Sequence, residues 1–163
     1  MASSGEIRTR LIPSLLDRLT DTEPARNIDA TGSRMTDLRA RKLALARDLS
    51  DLLNTKRTEN PIPPEVPECA DSLLSFGIPD YTALSLKSPF EQNRLRKAIE
   101  RAIQRFEPRL SGVTVTVEPR SDLDPVLRFR VDALLKLEPA PERIRFDTVL
   151  QADIGHIVVE GAN

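Results

Sequence analysis

The spacing of apolar residues changes at Pro108, and this change constrains the fold more than any other feature. Before Pro108, apolar side chains recur every three to four residues, as on one face of an α-helix. After it they alternate with polar ones, as in a β-strand with one packed and one solvated face. Pro108 also disfavours helical geometry at Glu107, which predicts a helix end there. Helices followed by strands predict an α+β fold, with the helices packed on one face of a small, mainly antiparallel sheet of about four strands.

Two long amphipathic helices are predicted in the first part of the domain. One spans residues 36–54 and carries a stripe of leucines. The other starts at Ser88, where Pro89 suits the first helical position and Glu91 is placed to complete a capping box with Ser88. A proline-rich loop over residues 54–67 and a short helix over residues 70–76 lie between them. The buried stripe of the second long helix is predicted to contain Leu95, Ile99, Ala102, Ile103 and Phe106.

Residues 1–33 are predicted to form a flexible N-terminal extension, outside a single domain of residues 34–163. Within the extension, residues 12–19 place Leu15, Leu16 and Leu19 on one face of a two-turn helix. So short a helix is unstable alone in water, so we expect it to dock on a partner. Residues 20–33 have few apolar side chains and are typical of a linker.

Strands are predicted at residues 113–118, 127–137, 143–150 and 154–160. An open sheet of four strands has two edges, and an edge strand leaves a row of backbone groups unpaired. The last predicted strand contains Ile157, Val158 and Val159, with no lysine or proline to block pairing. We therefore expect it to accept a strand from a partner protein.

Charge and composition restrict the classes of function. The 163 residues contain 24 basic and 25 acidic side chains, a net charge of −1, which argues against a dedicated nucleic-acid binder. No apolar run approaches the roughly 18 residues of a membrane span, and no signal peptide is recognisable. A single cysteine excludes an internal disulfide framework and fits a reducing compartment. These features predict a soluble, cytoplasmic protein that is not an integral membrane protein.

Two sets of residues are of the types that enzymes use. Cys69 and His156 are of the types that form a nucleophile and base, but no orienting group or oxyanion loop accompanies them. Glu107 is a candidate general acid, with Asp132 or Asp147 as the second carboxylate of a glycosidase. The absence of Trp removes the usual sugar-stacking surface. One His and one Cys provide no zinc spacing, so neither a metal nor another cofactor is predicted.

A row of cations lies on the second long helix, rotated away from its apolar stripe. Its members are Arg94, Lys97, Arg101 and Arg105. Such a row is either a solvated face or a surface that meets an acidic partner protein, and the sequence leaves both interpretations open.

The order of several motifs resembles the TssE family of type VI secretion baseplates and its phage relative, a tail baseplate wedge protein once labelled lysozyme-like. The motifs are SLLDRL at 14–19, DLLNTKR at 51–57, SLLSFGIPD at 72–80, FEPRL at 106–110, LRFRVDA at 127–133 and FDT at 146–148. The resemblance runs from about residue 12 to 160. Each motif is unspecific alone, and the specificity lies in their order and spacing.

The resemblance implies a structural subunit of a contractile injection machine. It implies a wedge complex with TssF and TssG, next to TssK and the spike hub. It also implies a fold similar to part of the sheath subunits TssB and TssC, at the place where sheath assembly begins. The family's Glu-Pro-Arg motif, here Glu107, Pro108 and Arg109, is implicated in contact with the wedge core. We expect Glu107 and Arg109 to project from a rigid corner that contacts a partner. The other interpretation is that these residues only tie the end of the helix to the first strand. The alternative is a peptidoglycan-acting glycosidase that uses Glu107.

Overall fold

The computed structural model of the chain describes residues 34–58, 63, 65–82, 88–118, 126–137, 140–151 and 155–162. The chain divides into two compact units, Met1–Leu45 and Ala46–Asn163. Of the first unit, the described part is residues 34–45, a stretch of α-helix. The predicted docking helix with Leu15, Leu16 and Leu19, and the linker behind it, lie outside the described residues. The predicted domain boundary at residue 34 therefore stays a prediction.

The architecture is α+β, as predicted. Within the described residues, two helices precede four strands. The helices are α1 (Arg34–Asn54) and α2 (Pro89–Phe106), and the strands are β1 (Leu110–Val117), β2 (Leu127–Leu135), β3 (Glu142–Gln151) and β4 (His156–Ala162). Two short 3₁₀ helices, Pro67–Asp71 and Leu73–Ser75, lie between α1 and α2. They replace the single short helix predicted at residues 70–76. The break falls at Ser72, which is extended and whose hydroxyl donates to the Cys69 carbonyl oxygen and accepts from the Leu74 amide.

Helix α2 begins and ends near the predicted residues, but its cap differs. Ser88 precedes the helix in an extended conformation and Pro89 takes the first turn, yet the Ser88 side chain makes no capping hydrogen bond. The predicted capping box is therefore wrong. The Glu91 carboxylate instead lies 3.8 Å from Arg94, one turn along the helix. Four of the five residues of the predicted stripe are buried, and the fifth, Phe106, packs edge to face on Phe76.

The sheet has the strand order β1-β2-β3-β4, and each neighbouring pair is antiparallel. Strict alternation along β2 buries Leu127, Phe129, Val131, Ala133 and Leu135 on one face. The strand ends at Leu135, two residues before its predicted end. The opposite face carries charged side chains and the exposed Leu134. This topology makes β1 and β4 the two edge strands.

A tight junction after α1 fixes the end of that helix. The Ile78 amide donates to the Thr55 carbonyl oxygen at 3.0 Å, and the Arg57 amide donates to the Ile78 carbonyl oxygen at 2.9 Å. Gly77 precedes this contact with a φ of +98°, a conformation that favours glycine. The junction holds the C-terminal end of α1, including Asn54, in a fixed position.

Candidate functional site

The edge of β4 is closed at one residue by a side chain from α1. Asn54 is the last residue of α1, and its Nδ2 donates to the Ile157 carbonyl oxygen at 2.8 Å. The Ile157 amide donates to Asn54 Oδ1, also at 2.8 Å. Nδ2 donates further to the Ser50 carbonyl oxygen at 2.8 Å, which orients the amide group. Asn54 thus occupies the place that one residue of a fifth strand would take.

A second contact ties the β3–β4 hairpin to the segment before α2. The Tyr81 hydroxyl donates to the Gly155 carbonyl oxygen at 2.8 Å, in the turn that leads into β4. Tyr81 is buried, and this burial is the main reason that its pKa is raised. Asn54 and Tyr81 together hold β4 in place at the start of the strand.

Beyond Ile157, the described residues leave the edge of β4 open. Val158 and Glu160 are paired with Val149 and Asp147 of β3. Since alternate residues of an antiparallel edge strand turn their backbone groups outward, Val159 presents its amide and carbonyl to the outside, as Ile157 does. Among the described residues, nothing hydrogen-bonds to these outward groups of Val159. Val159 is therefore the first open position of this edge.

The edge of β1 is closed by side chains of α2. The Val115 amide donates to Glu100 Oε2 at 3.0 Å, and Arg96 Nη1 donates to the Val115 carbonyl oxygen at 3.1 Å. Arg96 and Glu100 also bind each other at 3.0 Å, so the pair acts as one unit. One turn further on, Gln104 Nε2 donates to the Val113 carbonyl oxygen at 3.2 Å. The two edges are therefore not equivalent: β1 is protected at two successive outward positions and β4 at one.

These contacts refine the predicted strand-accepting residues. The last strand is an edge strand, and it spans His156–Ala162 rather than residues 154–160. Ile157 is buried and its edge groups are used by Asn54, while the backbone of Val158 is directed at β3. Of the three predicted residues, Val159 alone turns outward backbone groups that no described residue occupies. A partner role for all three stays a prediction.

The Glu-Pro-Arg corner lies between α2 and β1, and its glutamate is an internal group. Glu107 is 5% exposed. Its Oε1 accepts from the Arg109 amide at 3.1 Å and from Arg109 Nε at 2.6 Å, and its Oε2 accepts from Arg109 Nη2 at 2.5 Å. The expectation that Glu107 projects from the corner is therefore wrong, because the tight turn at Pro108 folds the arginine back over the carboxylate.

Arg109 connects this corner to α1. Its Nη2 donates to Asp48 Oδ2 at 2.7 Å. The hydrogen bonds that Arg109 donates to Glu107, followed by the one that it donates to Asp48, raise the pKa of Arg109. The Arg109 side chain remains 32% exposed, and Pro108 is exposed. The backbone of the corner is held as well, since Lys136 Nζ donates to the Pro108 carbonyl oxygen at 2.9 Å. A partner can reach Pro108 and one side of Arg109, but not the Glu107 carboxylate.

The two carboxylates considered as partners of Glu107 lie elsewhere. Asp132 accepts from Arg145 Nε at 2.8 Å, which raises the pKa of Arg145, and Asp147 accepts from Arg130 Nε at 3.4 Å. Both line an open depression of about 630 Å³ on the charged face of the sheet. Glu107 is bound to Arg109 at the end of α2. The structure therefore does not bring Glu107 together with either aspartate.

The other candidate chemical groups are also separate. Cys69 lies in the first 3₁₀ helix, and its carbonyl oxygen accepts from Ser72 and Ser75. His156 begins β4, opposite Gln151. No hydrogen bond of the described residues links Cys69 to His156. Within the same residues, no group of three or more His, Cys, Asp or Glu side chains is arranged to hold a metal.

The residues that close the sheet edges were not singled out by the sequence. Asn54 contacts a residue 103 positions away, and such a contact leaves no periodic signal. Arg96, Glu100 and Gln104 follow an i, i+4, i+8 spacing along the flank of α2, between its buried stripe and its exposed face. Polar residues at the border between the buried and exposed faces of a helix are the sequence signal that could have predicted protection of a sheet edge by α2.

Comparison with known proteins gives one family match. The model of the family described as "Baseplate wedge protein gp25" matches residues 39–140, which is more than half of the chain. The matched span includes most of α1 and all of α2, β1 and β2. A search of curated proteins found no match. None of the described helices is long and apolar enough to cross a membrane.

Proposed function

Because the chain belongs to the family of the baseplate wedge protein gp25, we propose that it is a structural wedge subunit of a type VI secretion machine. The family supports a structural role in a phage-tail-like baseplate. The finer proposal is that the protein links the wedge to the first ring of TssB–TssC sheath and helps sheath assembly to start. It acts as a scaffold rather than as an enzyme, in the cytoplasm at the inner-membrane-proximal baseplate.

The observation that carries the sheath proposal is the unequal protection of the two sheet edges. An incoming strand finds the edge of β1 occupied at Val113 and Val115. On β4 it finds Ile157 occupied by Asn54 and Val159 open. Strand addition of this kind gains affinity from backbone hydrogen bonds and register from alternating side chains. The sheath strand therefore pairs with β4 from Val159 onward, and Asn54 sets the limit of that pairing.

A second surface faces the wedge core. Pro108 and the exposed side of Arg109 supply it, and the pairing with Glu107 and Asp48 fixes the guanidinium in one orientation. A fixed planar guanidinium loses little conformational entropy when a partner carboxylate or carbonyl binds it. TssF and TssG are the proposed partners at this corner, with TssK and the spike hub adjoining the assembled wedge.

The N-terminal segment is the third proposed contact. We propose that Leu15, Leu16 and Leu19 lie on the apolar face of a short helix that orders on a baseplate partner. Hydrogen exchange of the isolated protein tests this proposal. Strong protection over residues 12–19 without a partner would mean that this segment packs on its own domain.

Co-purification tests the proposed function as a whole. The full chain is co-expressed with TssF and TssG, and the complex is isolated through a tag on TssG. We expect a stable ternary complex, and no release of soluble fragments when the pure protein is incubated with peptidoglycan. Failure to enter the complex, combined with release of peptidoglycan fragments that a folded Glu107→Gln variant no longer produces, would favour the glycosidase instead.

A further inference from the structure

The exposed face of α2 carries a straight stripe of one aromatic and three cationic side chains. We define the α2 stripe as Phe90, Arg94, Lys97 and Arg101. Phe90 is 75% exposed and the Arg94 side chain 66% exposed, and Lys97 and Arg101 are also exposed. The stripe lies opposite the buried residues Leu95, Ile99, Ala102 and Ile103. The core formed by the described residues therefore includes none of the side chains of the α2 stripe.

The spacing of the α2 stripe suits a second helix. Its members are separated by four, three and four residues, the alternation that places side chains along one seam facing a neighbouring helix. The seam extends for roughly 16 Å along α2, from Phe90 to Arg101. A helix with carboxylates at the same spacing can meet all three cations at once.

The charges of the α2 stripe are largely without ion-pair partners among the residues that the structure describes. Among the described residues, neither Lys97 nor Arg101 has an ion-pair partner, and Arg94 is 3.8 Å from Glu91, at the outer limit for such a pair. On the flank of the same helix, Arg96 is fully engaged by Glu100 and the β1 backbone. Helix α2 thus carries paired charges, Arg96 and Glu100, on the side that contacts the sheet, and the cations of the α2 stripe on the side that faces outward.

We propose that the α2 stripe is a docking surface for an acidic helix of a partner protein. The cations pair with its carboxylates, and Phe90 packs on an apolar residue at one end. A membrane surface fits less well, because the apolar face of α2 is buried in the domain and only Phe90 is left to insert. Nucleic acid fits less well because the whole chain has a net charge of −1. This surface is distinct from the β4 edge and from the Arg109 corner, so the inference does not depend on either.

The test uses the full chain and a defined probe. The probe is a fluorescent helical peptide, constrained by lactam bridges, with glutamates at four-three spacing and one leucine placed to meet Phe90. A matched peptide has glutamine at each glutamate. By fluorescence anisotropy, we expect the acidic peptide to bind at least about tenfold more tightly than the glutamine peptide, and its binding to weaken as salt is raised.

Paired variants locate the binding. Lys97→Glu with Arg101→Glu is expected to weaken binding at least about tenfold, and Lys97→Gln with Arg101→Gln to weaken it less. Arg128→Glu with Arg143→Glu changes two exposed arginines on the sheet and should leave binding unchanged. The proposal would be overturned if the sheet variant lost as much peptide affinity as the Lys97→Glu, Arg101→Glu variant. It would also be overturned if the acidic peptide did not bind, or if the protein bound anionic vesicles or single-stranded RNA as tightly as the acidic peptide. Circular dichroism confirms that each variant is folded.

Discussion

The side chain of Asn54 and the backbone of Ile157 exchange two hydrogen bonds of 2.8 Å across 103 residues of sequence. One amide group therefore supplies both a donor and an acceptor to an edge strand. The contact joins the end of α1 to β4 and closes a single position of the sheet edge. It leaves Val159 as the first residue at which another chain can add a strand.

The Asn54→Asp substitution tests this contact. Aspartate keeps an acceptor for the Ile157 amide but loses the donor, and it places a negative charge against the carbonyl oxygens of Ile157 and Ser50. We expect the free energy of unfolding, measured in urea, to fall by about 1–3 kcal/mol. The control is Asn93→Asp on the exposed side of α2, where the side-chain oxygen still accepts from Arg96 Nε. Equal effects of the two substitutions would contradict a special role for Asn54.

The junction after α1 gives a steric prediction at Gly77. A Cβ atom on Gly77 would lie 2.2 Å from the Thr55 carbonyl oxygen, and φ at this residue is +98°. We expect Gly77→Ala to lower the free energy of unfolding by more than about 3 kcal/mol or to prevent folding. Gly112→Ala is the control, since its φ is +61° but the nearest atom is 4.0 Å away. Gly112→Ala should lower the free energy of unfolding by roughly 1–2 kcal/mol. Similar melting temperatures for the two variants would show that the clash at Gly77 is relieved.

The elements of this fold were largely predictable because each has its own periodic signal. The stripe from Leu95 to Ile103 and the alternation from Leu127 to Leu135 are properties of short stretches of sequence, and both appear in the structure. The contacts that complete the site are not periodic. Asn54 meets Ile157, and Arg109 meets Asp48, only after the helices and sheet have assembled. The local pattern at Pro108 predicted a rigid corner, but not that Arg109 folds back onto Glu107.

The Glu107–Arg109 pair gives a prediction that separates folding from assembly. Glu107→Gln removes the charge that holds the guanidinium and leaves a buried amide beside it. We expect a loss of about 2–4 kcal/mol in the free energy of unfolding, below the full value for a buried pair because Arg109 is 32% exposed. Arg109→Lys keeps the charge but loses the planar fork. Arg109→Lys should lower the free energy of unfolding less than Glu107→Gln does. It should nevertheless bind TssF–TssG more weakly than the parent protein in a pull-down.

Two outcomes would contradict these roles of Glu107 and Arg109. Full stability of Glu107→Gln would mean that the carboxylate contributes little to the fold. Unchanged binding of Arg109→Lys to TssF–TssG would mean that Arg109 serves the fold alone and that the wedge core binds elsewhere.

The environment of Asp80 makes the free energy of unfolding of the protein dependent on pH. Hydrogen bonds from the Thr82 amide and hydroxyl, followed by the pairing with Lys56, lower the pKa of Asp80 from 3.8 to about 2. The folded protein keeps the Asp80 carboxylate ionised at pH values where the unfolded chain protonates it. The stability that the ionised carboxylate contributes is therefore complete above about pH 4 and is lost as the pH falls toward 2. Asp80→Asn keeps an oxygen for Thr82 but removes the titration. We expect the variant to lose less stability between pH 4 and pH 2 than the parent protein. A carboxyl pKa near 3.8 for Asp80 by NMR in the folded protein would contradict this.

We propose that sheath assembly starts on the open edge of β4, a claim that a proline at Val159 tests. A proline at Val158 would remove a hydrogen bond to β3 and damage the sheet, whereas at Val159 it removes an amide that faces outward. Val117→Pro is the matched control, since it changes an outward position at the end of β1.

The measurement is the number of TssB–TssC sheaths formed on baseplates that contain each folded variant. We predict that Val159→Pro enters the TssF–TssG complex but starts few or no sheaths, while Val117→Pro starts them normally. Normal sheath numbers with Val159→Pro would contradict the claim.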